Sequence, residues 1–344
     1  MNNKKSILFI LNPKSGAHSK AALPKLIESH IDRDKFEYAI VETQYKGHAI
    51  KLASDAATKG VDIVVAVGGD GTVNEIGCSL AGTDTALGIL PCGSGNGFAR
   101  HLGIPLIAKN AIEYINNAVV TSVDYGKING VPFFCTCGIG YDALVSETFS
   151  KGKRRGLVGY ANNALQTLVD YEPETYRIET EWSTKDYKAF LIAFGNAAQY
   201  GNNACIAPQA SMCDGMLSVT ILKPFHVVEI PVILGQLFSN KLYHNERIET
   251  ISARWVKIKR KEPGIVHFDG EPMMMSDELT VEIVPAGLNV LSLPGWDGRS
   301  ANISLFRQGF EMLRASVDTD IIERLETLHY LHNIPDFFKR EHND

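Results

Sequence analysis

The chain has 344 residues, 45% of them hydrophobic and 21% charged, enough to bury a sizeable core and to divide into two domains. A formal net charge of −5 gives no general attraction to nucleic acid or to an anionic membrane, so any such contact has to come from local basic clusters. Six cysteines, Cys78, Cys92, Cys135, Cys137, Cys205 and Cys213, show neither a paired zinc spacing nor a dense secreted framework and read as reduced thiols.

From the N-terminus, a short apolar run broken by Asn12 and Pro13 is too short for a signal segment or a membrane span, which points to a cytoplasmic protein. Residues 1 to about 120 then alternate strand and helix: strand 7–11, helix 19–31, strand 38–42, helix 48–59, strand 61–67, helix 74–81 and strand 86–90. This is βαβ logic, and the turns at the strand ends should converge on one crevice. Strand 61–67 runs into Gly68-Gly69-Asp70-Gly71-Thr72-Val73-Asn74-Glu75. Glycines let the backbone approach a polyphosphate and aim its N–H groups at the oxygens, leaving Asp70 to hold Mg²⁺ or orient a hydroxyl. The same pattern is also ordinary strand-helix punctuation. Asn12-Pro13-Lys14-Ser15-Gly16 closes the first strand, and Pro91-Cys92-Gly93-Ser94-Gly95-Asn96-Gly97 closes a later one, where so many glycines suit a backbone lying against a ligand. Arg100 and His101 follow, either as phosphate partners or as surface residues.

From about Asp124 the texture changes to short strands, at 125–128, 131–137, 176–181, 189–196, 217–222, 255–260 and 279–284, with helices at 159–171 and 227–238. Two basic clusters lie in this part, Lys151-Lys153-Arg154-Arg155 and Lys257-Lys259-Arg260-Lys261, each also readable as a solvated face. The stretch 225–238, with Val227, Val228, Ile230, Val232, Ile233, Leu234 and Leu237, suits either an acyl pocket or core packing. Asp269-Gly270-Glu271 lies between two strand-like runs. It reads as a hairpin turn, or as a pair of carboxylates able to take the proton of a poorly nucleophilic hydroxyl. Met273-Met274-Met275 after it suits an adaptable apolar wall or core filling. The tail carries amphipathic helices at about 305–315 and 320–331, which suit docking on the first domain or a homodimer contact.

These motifs, in this order and spacing, resemble the lipid kinases of the diacylglycerol kinase and sphingosine kinase family, bacterial type. The resemblance extends through Thr43 with Gly47-His48-Ala49, Gly138-Ile139-Gly140-Tyr141-Asp142, Gly195-Asn196, Tyr200-Gly201, Ala207-Pro208, Asp214-Gly215 and His267 to Glu271, over roughly residues 5 to 295. It implies an N-terminal α/β domain like those of NAD kinase and phosphofructokinase, at 1–122 and completed by about 288–344, with a β-sandwich lipid-substrate domain at 123–287. It also implies ATP, with Asn12 to Gly16, Thr43, Gly68 to Thr72, Asn74, Glu75, Gly93, Ser94, Arg154 and Arg155 around the nucleotide. Mg²⁺ would sit on the Asp214 carboxylate and on the backbone carbonyls of Ser211 and Met216. Asp142 would face the substrate headgroup. Glu271 is assigned first as base, with Asp269 as its neighbour and Asp70 as a metal or hydroxyl partner. The expectation is an ATP-dependent kinase for diacylglycerol or a sphingoid-type lipid, touching the inner membrane surface peripherally and using no nucleic acid. An NAD kinase-like or sugar kinase and a non-catalytic lipid-binding regulatory module are the rival readings.

Overall fold

Four parallel strands, β1 (Lys5–Leu11), β2 (Phe36–Glu42), β3 (Ile63–Gly68) and β4 (Ala86–Pro91), lie in the order β2-β1-β3-β4. Every residue of β3 and β4 is buried, the mark of strands covered on both faces. The computed structural model describes residues 4–15, 20–151, 168 and 171–301. The chain divides into Met1–Ala301 and Asn302–Asp344, and the described strands and helices all belong to the first unit. The sequence-predicted helix at 159–171, the tail helices, Gly16, Arg154 and Arg155 fall wholly or mainly outside the described residues.

Helices α1 (Leu23–His30), α2 (His48–Thr58), α3 (Asp70–Leu80), α4 (Gly97–His101) and α5 (Ala108–Asn117) accompany these strands. Ile27, Ala53, Ile76 and Ile112 from the helices share one core with Phe9, Val65 and Leu87 from the strands. The first helix is shorter than expected and begins with Pro24 in its first turn, where the missing N–H has no helical partner to lose. The third begins four residues earlier than expected, at Asp70, because the glycine turn itself runs into the helix with Gly69 extended at its N-cap. Parallel strands put all their carboxyl ends on one edge, so Asn12, Thr43, Gly69 and Cys92 follow one another along it.

The second half is a sandwich. One layer is the antiparallel sheet β12-β11-β10-β7-β14-β15. Its strands are β7 (Thr136–Gly140), β10 (Leu191–Gly195), β11 (Leu217–Leu222), β12 (Ile248–Ala253), β14 (Gly264–Phe268) and β15 (Glu271–Met275). The other continues the parallel sheet through β16 (Glu278–Ser292) to β13 (Trp255–Lys259), β8 (Glu174–Thr180) and β9 (Thr184–Ala189). Strands β5 (Val119–Ile128) and β6 (Val131–Phe133) are attached beside β16. Phe133, Ile178, Val256 and Val281 from this layer interlock with Ile139, Phe194, Val219 and Val266 from the first. Helices α6 (Tyr141–Lys151) and α7 (Ile230–Phe238) are among the described residues of this half.

Two strand expectations are corrected. The run 131–137 is broken into β6 and β7, because the N–H groups of Phe134, Cys135 and Thr136 turn to the Asp269 carboxylate. The run 279–284 extends to Ser292, so that β16 pairs with β13 at its start and with β4 at Val290. A register shift between Val284 and Leu288, with Ala286 at φ 49°, bends this one strand between its pairing with β13 and its pairing with β4. The basic cluster at 257–261 is partly structural. Arg260 is buried and donates to the carbonyls of Gly264, Ile265, Met275 and Ser276, while Lys259 pairs with Asp277 and Glu278.

Three buried polar residues tie the halves together. Asn196 donates from Nδ2 to the carbonyls of Asp124 and Phe134, at 2.9 and 2.8 Å. Asp124 accepts the N–H groups of Gly215 and Ala286, both at 2.7 Å. His101 lies 2.9 Å from the Gly298 carbonyl through Nε2 and accepts the Ala198 N–H at Nδ1. Arg100 braces the glycine loop through its bond to the Gly95 carbonyl, so both residues are buried supports and not surface groups.

Burial pushes the His101 imidazole down to about 4 from an ordinary 6.5, against the raising effect of its bond to Gly298. The unfolded chain therefore takes up this proton first as pH falls, and stability held above pH 6.5 is lost toward pH 4. The loss is about 3 kcal/mol. Urea unfolding across that range should show a shallower decline with acidification in His101→Gln than in the native chain.

Candidate functional site

The ends of β3 and β4 meet through glycine. A Cβ on Gly93 would lie 2.5 Å from the Gly69 Cα, and one on Gly95 would lie 2.7 Å from the Asp70 Oδ2. These glycines serve the mutual approach of two loops, so much of the glycine content read as a ligand signal has an internal cause. Gly71 differs, since a Cβ there meets nothing within 4 Å. Asn96, in the left-handed region at φ 52°, closes the second loop on itself. Its Oδ1 accepts the Gly93 N–H and its Nδ2 donates to the Gly93 carbonyl.

Asp70 is not a free carboxylate. Its Oδ2 accepts the Asn96 N–H at 2.8 Å and its Oδ1 the Gly97 N–H at 2.7 Å, which locks the Ser94 loop against the glycine turn. Burial pushes its carboxyl up, with the Asp269 charge adding to the rise and the two N–H bonds opposing it.

The Asp269-Gly270 pair is a two-residue hairpin turn joining β14 to β15, with both residues at positive φ, 47° and 84°, and Phe268 opposite Glu271. The hairpin reading therefore holds. The Asp269 carboxylate points into the protein. Oδ1 accepts the N–H groups of Cys135 and Thr136 at 2.7 and 3.1 Å, and Oδ2 accepts the Phe134 N–H and the Asn74 amide, each at 2.8 Å. Burial raises this carboxyl even against four donors. Glu271 is exposed, and its charge helps to raise Glu75 on α3, where burial is the larger cause. Asn74 and Glu75 thus bring the glycine turn and the hairpin to one place.

Around the first strand end, the Asn12 side chain donates to the Thr72 hydroxyl at 3.0 Å and accepts the Lys14 N–H. Lys14 and Ser94 are exposed, and Thr43, half-buried, is held by its N–H to Leu11. Lys20 was missed from sequence. It is buried, donates to the Asn12 carbonyl at 2.7 Å and touches Ser15, bracing this turn from behind. No spacing rule singles it out. Asp124 was also missed, although a carboxylate inside the apolar run Val123-Asp124-Tyr125 was a visible signal.

Asp142, in the first turn of α6, is buried. Its Oδ2 accepts the Tyr200 hydroxyl at 2.8 Å and lies 2.8 Å from His267 Nε2. Ser211, Asp214 and Met216 line a cleft of about 400 Å³ together with Gln209, Ser252 and Arg299. Asp214 accepts the Met216 N–H at 3.0 Å. Burial raises its carboxyl, and Asp124 adds to this while Arg299 opposes it. The cleft carries one carboxylate, Asp214, beside the hydroxyls of Ser211, Ser218 and Ser252, oxygen donors of the kind a hard cation takes. Among the described residues no group of three or more His, Cys, Asp or Glu is gathered for a metal.

The Asn74 amide is the direct bond between α3 and the hairpin. Asn74→Ala should cost about 1–3 kcal/mol in denaturant unfolding, because it strips one donor from a buried carboxylate.

The comparisons with known proteins agree with this geometry. Residues 6–128 match the diacylglycerol kinase catalytic domain, and residues 135–292 match the YegS C-terminal NAD kinase beta sandwich-like domain. A diacylglycerol kinase of Bacillus subtilis (strain 168) is 31% identical over 76% of this chain and 88% of its own. A protein of Chromohalobacter salexigens named "Probable lipid kinase YegS-like" is 30% identical over 77% of this chain and 86% of its own. The crystal structure of a diacylglycerol kinase from Bacillus anthracis str. Sterne shares the fold, with a TM-score of 0.65 and 23% identity over 85% of this chain and 97% of that one. With an α/β glycine-turn domain joined to a β-sandwich, and with both family models matched in sequence order, this chain belongs to the diacylglycerol kinase and YegS-like family of lipid kinases.

Proposed function

We propose that the protein transfers the γ-phosphoryl group of ATP to the free hydroxyl of a diacylglycerol. The observation that carries the reading is the bond from Asn74 to Asp269, which sets the helix after the glycine turn and the Asp-Gly-Glu hairpin side by side although 195 residues separate them.

Phosphoryl transfer asks mainly for positioning and for neutralised charge. The N-terminus of α3 offers backbone N–H groups, and Gly71 leaves the space before them open for phosphate oxygens. Lys14 and Ser94, exposed on the neighbouring strand ends, extend the cradle. Asp70 and Asp269 commit their lone pairs to backbone N–H groups, so their part is to hold the loops in register. That leaves Glu271, exposed beside Glu75, as the carboxylate available to a hydroxyl. The lipid oxygen forms its bond to phosphorus as the bond to the β-phosphate oxygen breaks, ADP departs, and Glu271 takes the hydroxyl proton. Asp142, held by Tyr200 and His267, is the polar group proposed for the lipid headgroup. Mg²⁺, when bound, neutralises phosphate charge, and the residues proposed to hold a structural ion are Asp214 by its carboxylate and Ser211 and Met216 by their carbonyls.

Purified protein given labelled ATP and a panel of diacylglycerols, long-chain bases and ceramides should make labelled phosphatidate. A panel without any phospholipid product overturns the reading. Glu271→Gln should lower kcat by about 10²-fold or more with little change in KM for ATP. Gly71→Ala should stabilise α3 by about 0.5–1 kcal/mol in unfolding experiments yet raise KM for ATP, since only a ligand meets the added methyl.

A further inference from the structure

The stretch 225–238 is only partly taken into the core. A short 3₁₀ turn, Val227–Glu229, leads into α7. One side of α7 is inward. Ile233 is buried and Leu237 packs beside it against Tyr141, Val145, Phe190, Leu222 and Leu242. The outward side is apolar as well. Val227 is 65% exposed, Val228 84%, Val232 57%, Leu234 42% and Phe238 43%. Pro231, Leu234, Gly235 and Phe238, spaced at helical intervals, are all outside the buried core, and α7 contains no charged residue. A surface helix in water carries its polar residues on that face, and a helix apolar all round calls for a less polar medium on its outer side.

Local charge is balanced and does not oppose a lipid surface. From 223 to 249 Lys223, Lys241 and Arg247 balance Glu229, Glu246 and Glu249, and Lys223 is paired with Glu249 at 2.8 Å. Glu229 is held by Arg247 at 2.9 and 3.0 Å, a bidentate pair that also fixes the 3₁₀ turn. An apolar ridge in a locally neutral segment, on a chain whose proposed substrate is a membrane lipid, suits the acyl region of a bilayer. At nine residues, or ~14 Å, the helix is too short to cross a bilayer and suits lying in its interface. The apolar cluster beneath α7 also contains Tyr141, next to Asp142, and reaches Tyr200, which bonds Asp142, so the ridge and the proposed headgroup residue share one support.

We propose that the 3₁₀ turn and α7 form a docking surface for a lipid bilayer, with Val227, Val228, Val232, Leu234 and Phe238 entering its acyl region. This rests on the lipid kinase reading, which places the substrate in a membrane.

The test is co-sedimentation of the full chain with vesicles of equal parts phosphatidylglycerol and phosphatidylethanolamine, comparing it with the exposed double variant Val228→Glu/Leu234→Glu. The vesicle-bound fraction should fall about tenfold in the variant. Turnover of long-chain diacylglycerol embedded in vesicles should fall with it, while turnover of a dispersed short-chain diacylglycerol stays unchanged. Equal sedimentation of the two proteins, or a native chain left in the supernatant, overturns the docking surface. So does a native dimer in sedimentation equilibrium that the variant dissolves without any binding to vesicles. If no lipid hydroxyl is phosphorylated but vesicle binding still depends on the double variant, the kinase reading fails and the docking surface stands.

Discussion

The structure turns on one carboxylate. Asp269 sits in the left-handed region at the tip of a hairpin and receives four donors, three from consecutive backbone N–H groups and one from Asn74. Burying a carboxylate is costly unless its lone pairs are filled, and charge-assisted bonds of about 1.5–3 kcal/mol each make the arrangement tenable. The consequence reaches along the chain. The N–H groups taken by Asp269 are unavailable to a neighbouring strand, so β6 ends and β7 begins there. The amide taken by Asp269 belongs to α3, so the hairpin of the sandwich is fastened to the helix that follows the glycine turn.

Asp70 performs the corresponding task on the α/β side, holding the loop after β4 by the N–H groups of Asn96 and Gly97. Two carboxylates that look like free reagents in the sequence are thereby used as fasteners. The glycines around them follow the same logic. Gly69 and Gly93 face each other too closely for side chains, and Gly95 lies against the Asp70 carboxylate. What remains open is the backbone at Gly71 and the exposed Glu271, and it is there that the proposed chemistry has room.

β16 joins the two halves by a simpler constraint. A single strand that pairs with β13 at one end and with β4 at the other makes the parallel sheet and one layer of the sandwich a continuous sheet. His101, Asp124 and Asn196 then give hydrogen-bond partners at the junction to carbonyls and amides that apolar packing alone would leave without them. Beside the sandwich, α7 presents an apolar ridge outward from a packed support, reversing the usual division between inner and outer faces.

Residue order alone determined the alternating strands and helices of the first half, because β3 and β4 are uninterrupted apolar runs ended by glycine or proline, and such runs are local signals. It determined the lipid kinase family through motifs in series, and it marked Asp70, Asn74, Asp269 and Glu271 as residues of one neighbourhood. Only the tertiary structure decided what each does there. The direction in which Asp269 points, the partners of Asp70 and the reach of β16 from β13 to β4 depend on contacts between residues far apart in the chain, and the bracing by Lys20 on how the turn folds back. The outward face of α7 was likewise beyond local reading, since an apolar helix has the same composition whether it faces a core or a surface.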